Sequence, residues 1–128
     1  MDEVVIDASA LIDLLVGGPV GDAVADRIAS HTLHGPAHID AESLSALGRL
    51  HRASELDPMA VETLLDRLVG APIVRHALPP LLAGAWKRRS NLRLADALYV
   101  ELADFLHLRL VTTDARLAPV GCVDVVSA

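Results

Sequence analysis

Two short runs of β-forming residues, Val4-Val5-Ile6 and Leu110-Val111-Thr112, lead into aspartates at Asp7 and Asp114, and neither run alternates polar with apolar residues. A strand that is apolar on both sides has to be covered on both sides, which is the situation of a parallel sheet under two layers of helices. The stretches between these runs carry helical periodicity, so strands and helices alternate along the chain, the pattern of an α/β domain. Aromatic residues are only 2% of the sequence while 52% is apolar. The core is therefore expected to be aliphatic, and 128 residues suffice for one such core in a single domain over residues 1–128.

The pattern predicts strands at residues 3–6, 32–34, 73–76, 109–112 and 123–126. Helices are expected over residues 8–15, 20–30, 39–53, 58–69, 81–89 and 94–107. Gly17-Gly18-Pro19 breaks the first helix from the second. Gly35-Pro36 is expected to end the second strand. Asp57-Pro58 is a helix start, since Asp caps and Pro suits the first turn. The fourth helix should bury Val61, Leu64, Leu65 and Leu68, and the last should bury Leu94, Leu98, Leu102 and Phe105.

In a parallel sheet of this kind ligands gather beyond the carboxyl ends of the strands, where Asp7 and Asp114 fall. Each aspartate alone has an ordinary role as a helix cap or turn former. Glu42 and Asp96 fall early in two of the expected helices, where the helix dipole alone would favour an acid. Together the four carboxylates would form an oxygen-rich pocket suited to Mg²⁺ or Mn²⁺. A divalent cation so held can clamp a phosphodiester, activate a water and stabilise the leaving oxygen. Without a cation the same acids repel, and at least one should be harder to ionise.

Other chemistries fit less well. The six histidines form no HExxH, and His31, His34 and His38 have no cysteine partner, so they are expected to be exposed or to sit at helix ends rather than to bind zinc. There is no Walker A loop, no GxGxxG and no GxSxG. A receiver-like phosphorelay domain would need a late lysine, but the only lysine is Lys87; a haloacid-dehalogenase phosphatase would need an acid where Ser9 stands. Cys122 has no disulfide partner and reads as a small buried hydrophobe. The net charge of −6 argues against a free-standing non-specific nucleic-acid binder. It is compatible with a nuclease whose acids hold ions. With no signal-like leader and no run of 18 apolar residues, a soluble cytoplasmic protein without membrane contact is expected.

The order of these acids resembles the PIN-domain family of metal-dependent ribonucleases, and within it the toxins of bacterial VapBC-type toxin–antitoxin pairs. The resemblance rests on Val5-Ile6-Asp7-Ala8-Ser9-Ala10-Leu11-Ile12, on Pro36-Ala37-His38-Ile39-Asp40-Ala41-Glu42, on Leu94-Ala95-Asp96-Ala97-Leu98-Tyr99 and on Leu110-Val111-Thr112-Thr113-Asp114 followed by Arg116-Leu117. It implies a three-layer α/β/α sandwich with a central, mainly parallel sheet. It implies Asp7, Glu42 and Asp96 as the principal ligands of Mg²⁺ or Mn²⁺, with Asp114 as a fourth acid. Ser9 and Thr113 would orient a carboxylate or touch the scissile phosphate. It further implies an RNA substrate, a cognate small antitoxin and a homodimer. A non-catalytic RNA-binding or dimerisation module on the same fold is the alternative.

Two neighbouring acids are expected to stay outside the site: Asp40 as a helix cap, and Asp13 as a residue turned away from Asp7. The basic stretch at residues 87–93 (Lys87, Arg88, Arg89 and Arg93), with Arg116, is expected to form a phosphate-contacting rim beside the acids. Trp86 is expected in the core or an interface. A mean hydropathy of +0.42 suggests a protein interface, for which Leu11, Ile12, Leu14, Leu15 and the segment 44–50 are the candidates.

Overall fold

The computed structural model describes residues 2–128. Five strands form one sheet: β1 (Glu3–Ile6), β2 (Thr32–Pro36), β3 (Ile73–His76), β4 (Leu110–Thr112) and β5 (Val123–Val125). Their order is β3-β2-β1-β4-β5, and every pairing is parallel. The helices are α1 (Ala8–Val16), α2 (Pro19–Ile28), α3 (Ile39–Arg52), α4 (Pro58–Val69), α5 (Pro79–Lys87) and α6 (Leu94–Leu106), with a short 3₁₀ turn at Ala115–Leu117. The chain thus steps outward from β1 through β2 to β3, then crosses back to lay β4 on the other side of β1.

Right-handed crossovers place α1 to α4 on one face of the sheet and α5 and α6 on the other. Side chains agree with that assignment. Arg75 of β3 reaches Asp40 on α3 and the Leu68 carbonyl on α4, and Arg27 of α2 pairs with Asp124 of β5. The result is the expected α/β/α sandwich around a parallel sheet. Its core is aliphatic, with Val5, Ile6, Leu11, Leu102, Leu110 and Val111 all but sealed from solvent. Tyr99 is the one aromatic residue buried among them.

Several local expectations change. β2 runs through Gly35-Pro36 instead of ending before it. β1 pairs β2 only as far as His34, so beyond that point β2 bonds β3 alone and Pro36 breaks no ladder on its other side. α6 buries Ala97, Tyr99, Val100, Leu102 and Ala103, while Leu94 and Phe105 are exposed. This helix crosses the middle of the sheet, so its buried stripe is set by the strands beneath it and not by its largest side chains. Most of the apolar side chains nominated as an interface belong to the interior: Leu11, Ile12 and Leu47 are buried, and Leu14 and Leu15 pack against the core, while Leu44 alone of the named segment's leucines is exposed. Exposed apolar groups are found on several elements, among them Val16, Met59 and Val69, and three of them, Leu82, Trp86 and Leu94, lie together on α5 and α6.

Asp40 does not cap α3, whose N-cap is His38 without a side-chain cap bond; its carboxylate is gripped at both oxygens by Arg75. Nor are all histidines peripheral. His34 lies buried in β2, bonded through Nε2 to Glu3 and through Nδ1 to His76. Burial, with His34 as a lesser factor, holds the His76 ring below its usual pKa. Cys122 is half-buried, which raises its thiol pKa. No single helix among the described residues is long and apolar enough to cross a membrane.

Candidate metal and nucleic-acid site

Because β1 and β4 are neighbours whose connections leave in opposite directions, the crevice beyond their carboxyl ends is the switch point of the sheet. A cavity of about 310 Å³ opens there. Asp7, Glu42, Asp96 and Asp114 all line it, together with Ser9, Asp13, Tyr99, Arg49, Arg93 and Arg116. The four carboxylates come from four separate places in the fold: the end of β1, the first turn of α3, the first turn of α6 and the loop after β4.

Asp7 is the innermost, with 4% of its surface exposed. It caps α1 by accepting from the Ala10 amide at 2.9 Å, and the same oxygen accepts from the Ser9 hydroxyl at 2.7 Å. Its other oxygen accepts from the Thr112 hydroxyl at 2.5 Å. Cap and site residue are therefore one and the same group. Burial raises the Asp7 pKa against these bonds, and the charge of Asp96 adds to the rise.

Thr112 was not singled out from sequence, yet it ties the two strand-end aspartates together. Fully buried, it donates to Asp7 and accepts from the Asp114 amide at 3.0 Å. Ser9 accepts from the Thr113 amide at 3.2 Å, closing the same mesh. The available signal was register: Ile6 lies against Val111, so the next residues, Asp7 and Thr112, fall side by side. Thr113 donates its hydroxyl to Asp13 at 2.6 Å and not to one of the four acids. Asp13 thus faces the cavity instead of turning away from it, since α1 leaves Asp7 directly and its second turn lies along the cavity wall.

The outer acids each hold a partner. Tyr99 donates its hydroxyl to Glu42 at 2.7 Å. Burial, and then Glu42, drives the Tyr99 pKa far up, so the phenol stays a donor. His38 lies 3.4 Å from the same carboxylate, packs on the Tyr99 ring and donates from Nε2 to the Ala95 carbonyl, and its buried Nδ1 has no hydrogen-bond partner among the described residues. Asp96 accepts from Arg93 at 3.1 Å. Asp114 takes the Arg116 guanidinium at both oxygens, at 2.6 Å to Oδ2 and 3.0 Å to Oδ1, and accepts from the Arg116 amide. That bond to Arg116 is the main reason the Asp114 pKa is lowered.

The basic rim divides. Of the five expected side chains, only Arg93 and Arg116 reach the acidic cavity. Lys87 and Arg88 line an adjoining hollow that shares Arg116 with it, and Arg88 pairs there with Glu101 and Asp104. Arg89 stacks on the exposed face of Trp86, 4.5 Å from the ring centroid, so Trp86 is a surface residue and not part of the core. The reason is that α5 ends at Lys87 and the chain turns before α6, which points successive basic residues in different directions. Arg49, exposed on α3 beside the acids, was missed because it lies seven residues past Glu42, far outside the basic stretch.

The donors present are carboxylate oxygens, the kind Mg²⁺ and Mn²⁺ prefer. Among the described residues, however, no three Asp, Glu, His or Cys side chains converge closely enough to hold one ion in common. The carboxylates share a cavity, but each is drawn toward its own partner.

Comparison with known proteins agrees with this architecture. The model of the PIN domain matches residues 4–121. Ribonuclease VapC3 of Mycobacterium tuberculosis is 53% identical over 118 residues, spanning 91% of this chain and 86% of that protein. Among solved structures, Mycobacterium tuberculosis VapC20, a sarcin-ricin loop cleaving toxin, superposes with a TM-score of 0.72 at 15% identity, covering 97% of this chain and 99% of that one. A toxin–antitoxin complex from Klebsiella pneumoniae superposes with a TM-score of 0.63 at 16% identity, covering 94% and 95%. With a family model spanning most of its length and a relative sharing half its residues, the chain belongs to the PIN-domain family, close to the VapC toxins.

Proposed function

We propose that this protein is an endoribonuclease dependent on Mg²⁺ or Mn²⁺ and the toxin of a toxin–antitoxin pair. The observation that carries this reading is the meeting of Asp7, Glu42, Asp96 and Asp114, from four distant parts of the chain, around one cavity at the switch point of the sheet. Similarity to a protein named as a ribonuclease supports the activity. Likeness to a toxin–antitoxin complex supports the same biological class, with a small antitoxin as cognate partner.

Asp7, Glu42, Asp96 and Asp114 would hold the cation. When bound, it supplies a polarised phosphoryl oxygen and a more acidic water for in-line hydrolysis, leaving 5′-phosphate and 3′-hydroxyl ends. The chain's own groups do the rest. Ser9 and Thr112 fix the Asp7 carboxylate from both sides, and Tyr99 fixes Glu42. Arg49, Arg93 and Arg116, at the cavity wall, give an RNA phosphate cationic partners in an otherwise acidic protein. Lys87 and Arg88 extend that surface into the adjoining hollow.

The test is cleavage of RNA with defined ends, in Mg²⁺ or Mn²⁺ and in EDTA, by the wild type and by Asp7→Asn and Asp96→Asn. Cation-dependent cleavage that both substitutions reduce by at least about a hundredfold, some 2.7 kcal/mol at the barrier, is expected. Full activity in EDTA or in both variants rules the assignment out. Tight RNA binding without cleavage by the wild type would establish the non-catalytic module instead. Coexpression with the neighbouring small open reading frame should relieve growth arrest.

A further inference from the structure

We propose that Arg93 and Arg116 are exchangeable counter-ions, which occupy the outer carboxylates of the cavity until a divalent cation displaces them and then turn to the RNA phosphate. The inference rests on the ribonuclease reading and deepens it. It starts from an apparent conflict: four carboxylates share one cavity, yet no three side chains converge on one point among the described residues. Asp96 is held by Arg93 and Asp114 by Arg116.

Both pairs are built for release. The Arg93 and Arg116 side chains are 67% and 69% exposed, whereas Asp96 and Asp114 are only 16% and 20% exposed. Each arginine side chain is thus far more exposed to solvent than the acid that it holds. Both pairs are local in sequence, three residues apart and two residues apart, so neither break requires an element to move. A cation entering the cavity competes for the same oxygens, and Asp114 has both of its oxygens engaged by Arg116. The displaced arginines stay tethered at the mouth of the cavity, where a phosphate arrives. A bidentate guanidinium suits phosphate as well as carboxylate.

The exchange requires opposite effects on two ligands. Losing either arginine should tighten cation binding and weaken RNA binding. Arg49 is the control, since it lines the same cavity but makes no carboxylate pair within 4 Å among the described residues. Removing it lowers the positive charge of the cavity without freeing an acid.

The experiment titrates the full chain with Mn²⁺ alone by calorimetry, for the wild type, Arg93→Gln, Arg116→Gln and Arg49→Gln. Binding of a 2′-O-methyl RNA oligomer in Mn²⁺ is measured in parallel. Thermal melts establish that each variant is folded, and Arg116→Lys, which keeps the charge but not the fork, should fall between wild type and Arg116→Gln. Partly exposed pairs of this kind correspond to about a threefold tighter Mn²⁺ Kd for each of the two glutamine variants, with RNA binding weakened several-fold. Mn²⁺ binding no tighter than wild type in both overturns the proposal. So does an equal gain in Arg49→Gln, which would make the effect one of general charge. If the wild type binds Mn²⁺ and cleaves RNA while the variants bind Mn²⁺ unchanged, only the exchange fails. If the wild type neither binds Mn²⁺ nor cleaves RNA, the ribonuclease reading fails with it.

Discussion

Asp7 shows how one side chain serves fold and site at once, and with what conflict. Its carboxylate caps α1 and holds β4 through Thr112, yet its burial opposes ionisation. A raised pKa in the folded state means that folding favours the protonated acid. The stabilisation is fully present below the unfolded value, near pH 4, and is lost as pH rises through the folded value. Without divalent cation, Asp7→Asn should therefore be more stable than wild type near pH 7 and should lose that advantage near pH 4. Urea denaturation at the two pH values measures it, and parallel pH dependence in both proteins would refute the argument. Thr112→Val keeps shape but strips Asp7 of a donor and the Asp114 amide of its acceptor. A loss of about 1–3 kcal/mol is expected from urea unfolding, together with slower cleavage. Asp7 was legible in the sequence because a strand-ending aspartate carries a local signature. Thr112 was not, because its partner lies 105 residues away.

At the scale of elements, the helix and strand pattern was readable from periodicity, and each expected element exists within a few residues of its expected bounds. Which face each helix buries was less readable. α6 shows why: with 52% of residues apolar, a helix has more apolar positions than one stripe can hold, and the strands beneath select among them. The α1–α2 corner makes the same point in reverse. Gly17 and Gly18 have φ of 87° and 95°, a conformation only glycine adopts freely, and the break they signal was plain. Gly21 carries no such local sign, yet a Cβ there would stand 2.3 Å from the Asp13 carbonyl oxygen. α2 can approach α1 only without that carbon. Gly21→Ala should cost about 1–3 kcal/mol by urea unfolding, and cleavage should fall as well, because the shift acts on the turn that carries Asp13. An alanine variant as stable as wild type would show that the corner can relax.

Across the whole molecule, exposed apolar groups are spread over several elements, and three of those on α5 and α6, Leu82, Trp86 and Leu94, gather around one hollow with Ala85 and Leu98. A cluster of exposed apolar groups is a candidate interface. We assign it to a second copy of the chain. Leu94 directly follows Arg93 of the acidic cavity, so this face lies beside the cavity mouth. Sedimentation at about 10–100 µM should show a dimer for wild type and a monomer for Leu94→Glu, since an unpaired carboxylate is costly in a buried apolar contact. A monomeric wild type at those concentrations would remove the assignment.

By itself the sequence determined that strands and helices alternate, that the sheet is parallel and aliphatic, and that four acids stand at strand ends and helix starts. Those properties are written in short-range periodicity and in the preferences of residues at chain turns. Only the tertiary structure decided which groups meet: Thr112 with Asp7, Thr113 with Asp13, Tyr99 with Glu42, and Arg49 in one cavity with the acids. It also separated Lys87, Arg88 and Arg89 from Arg93, although seven consecutive residues contain all four. The physical reason is the same in each case. A side chain's own element is set by its neighbours in sequence, but its partner is set by strand register and by the crossover that returns the chain to the middle of the sheet.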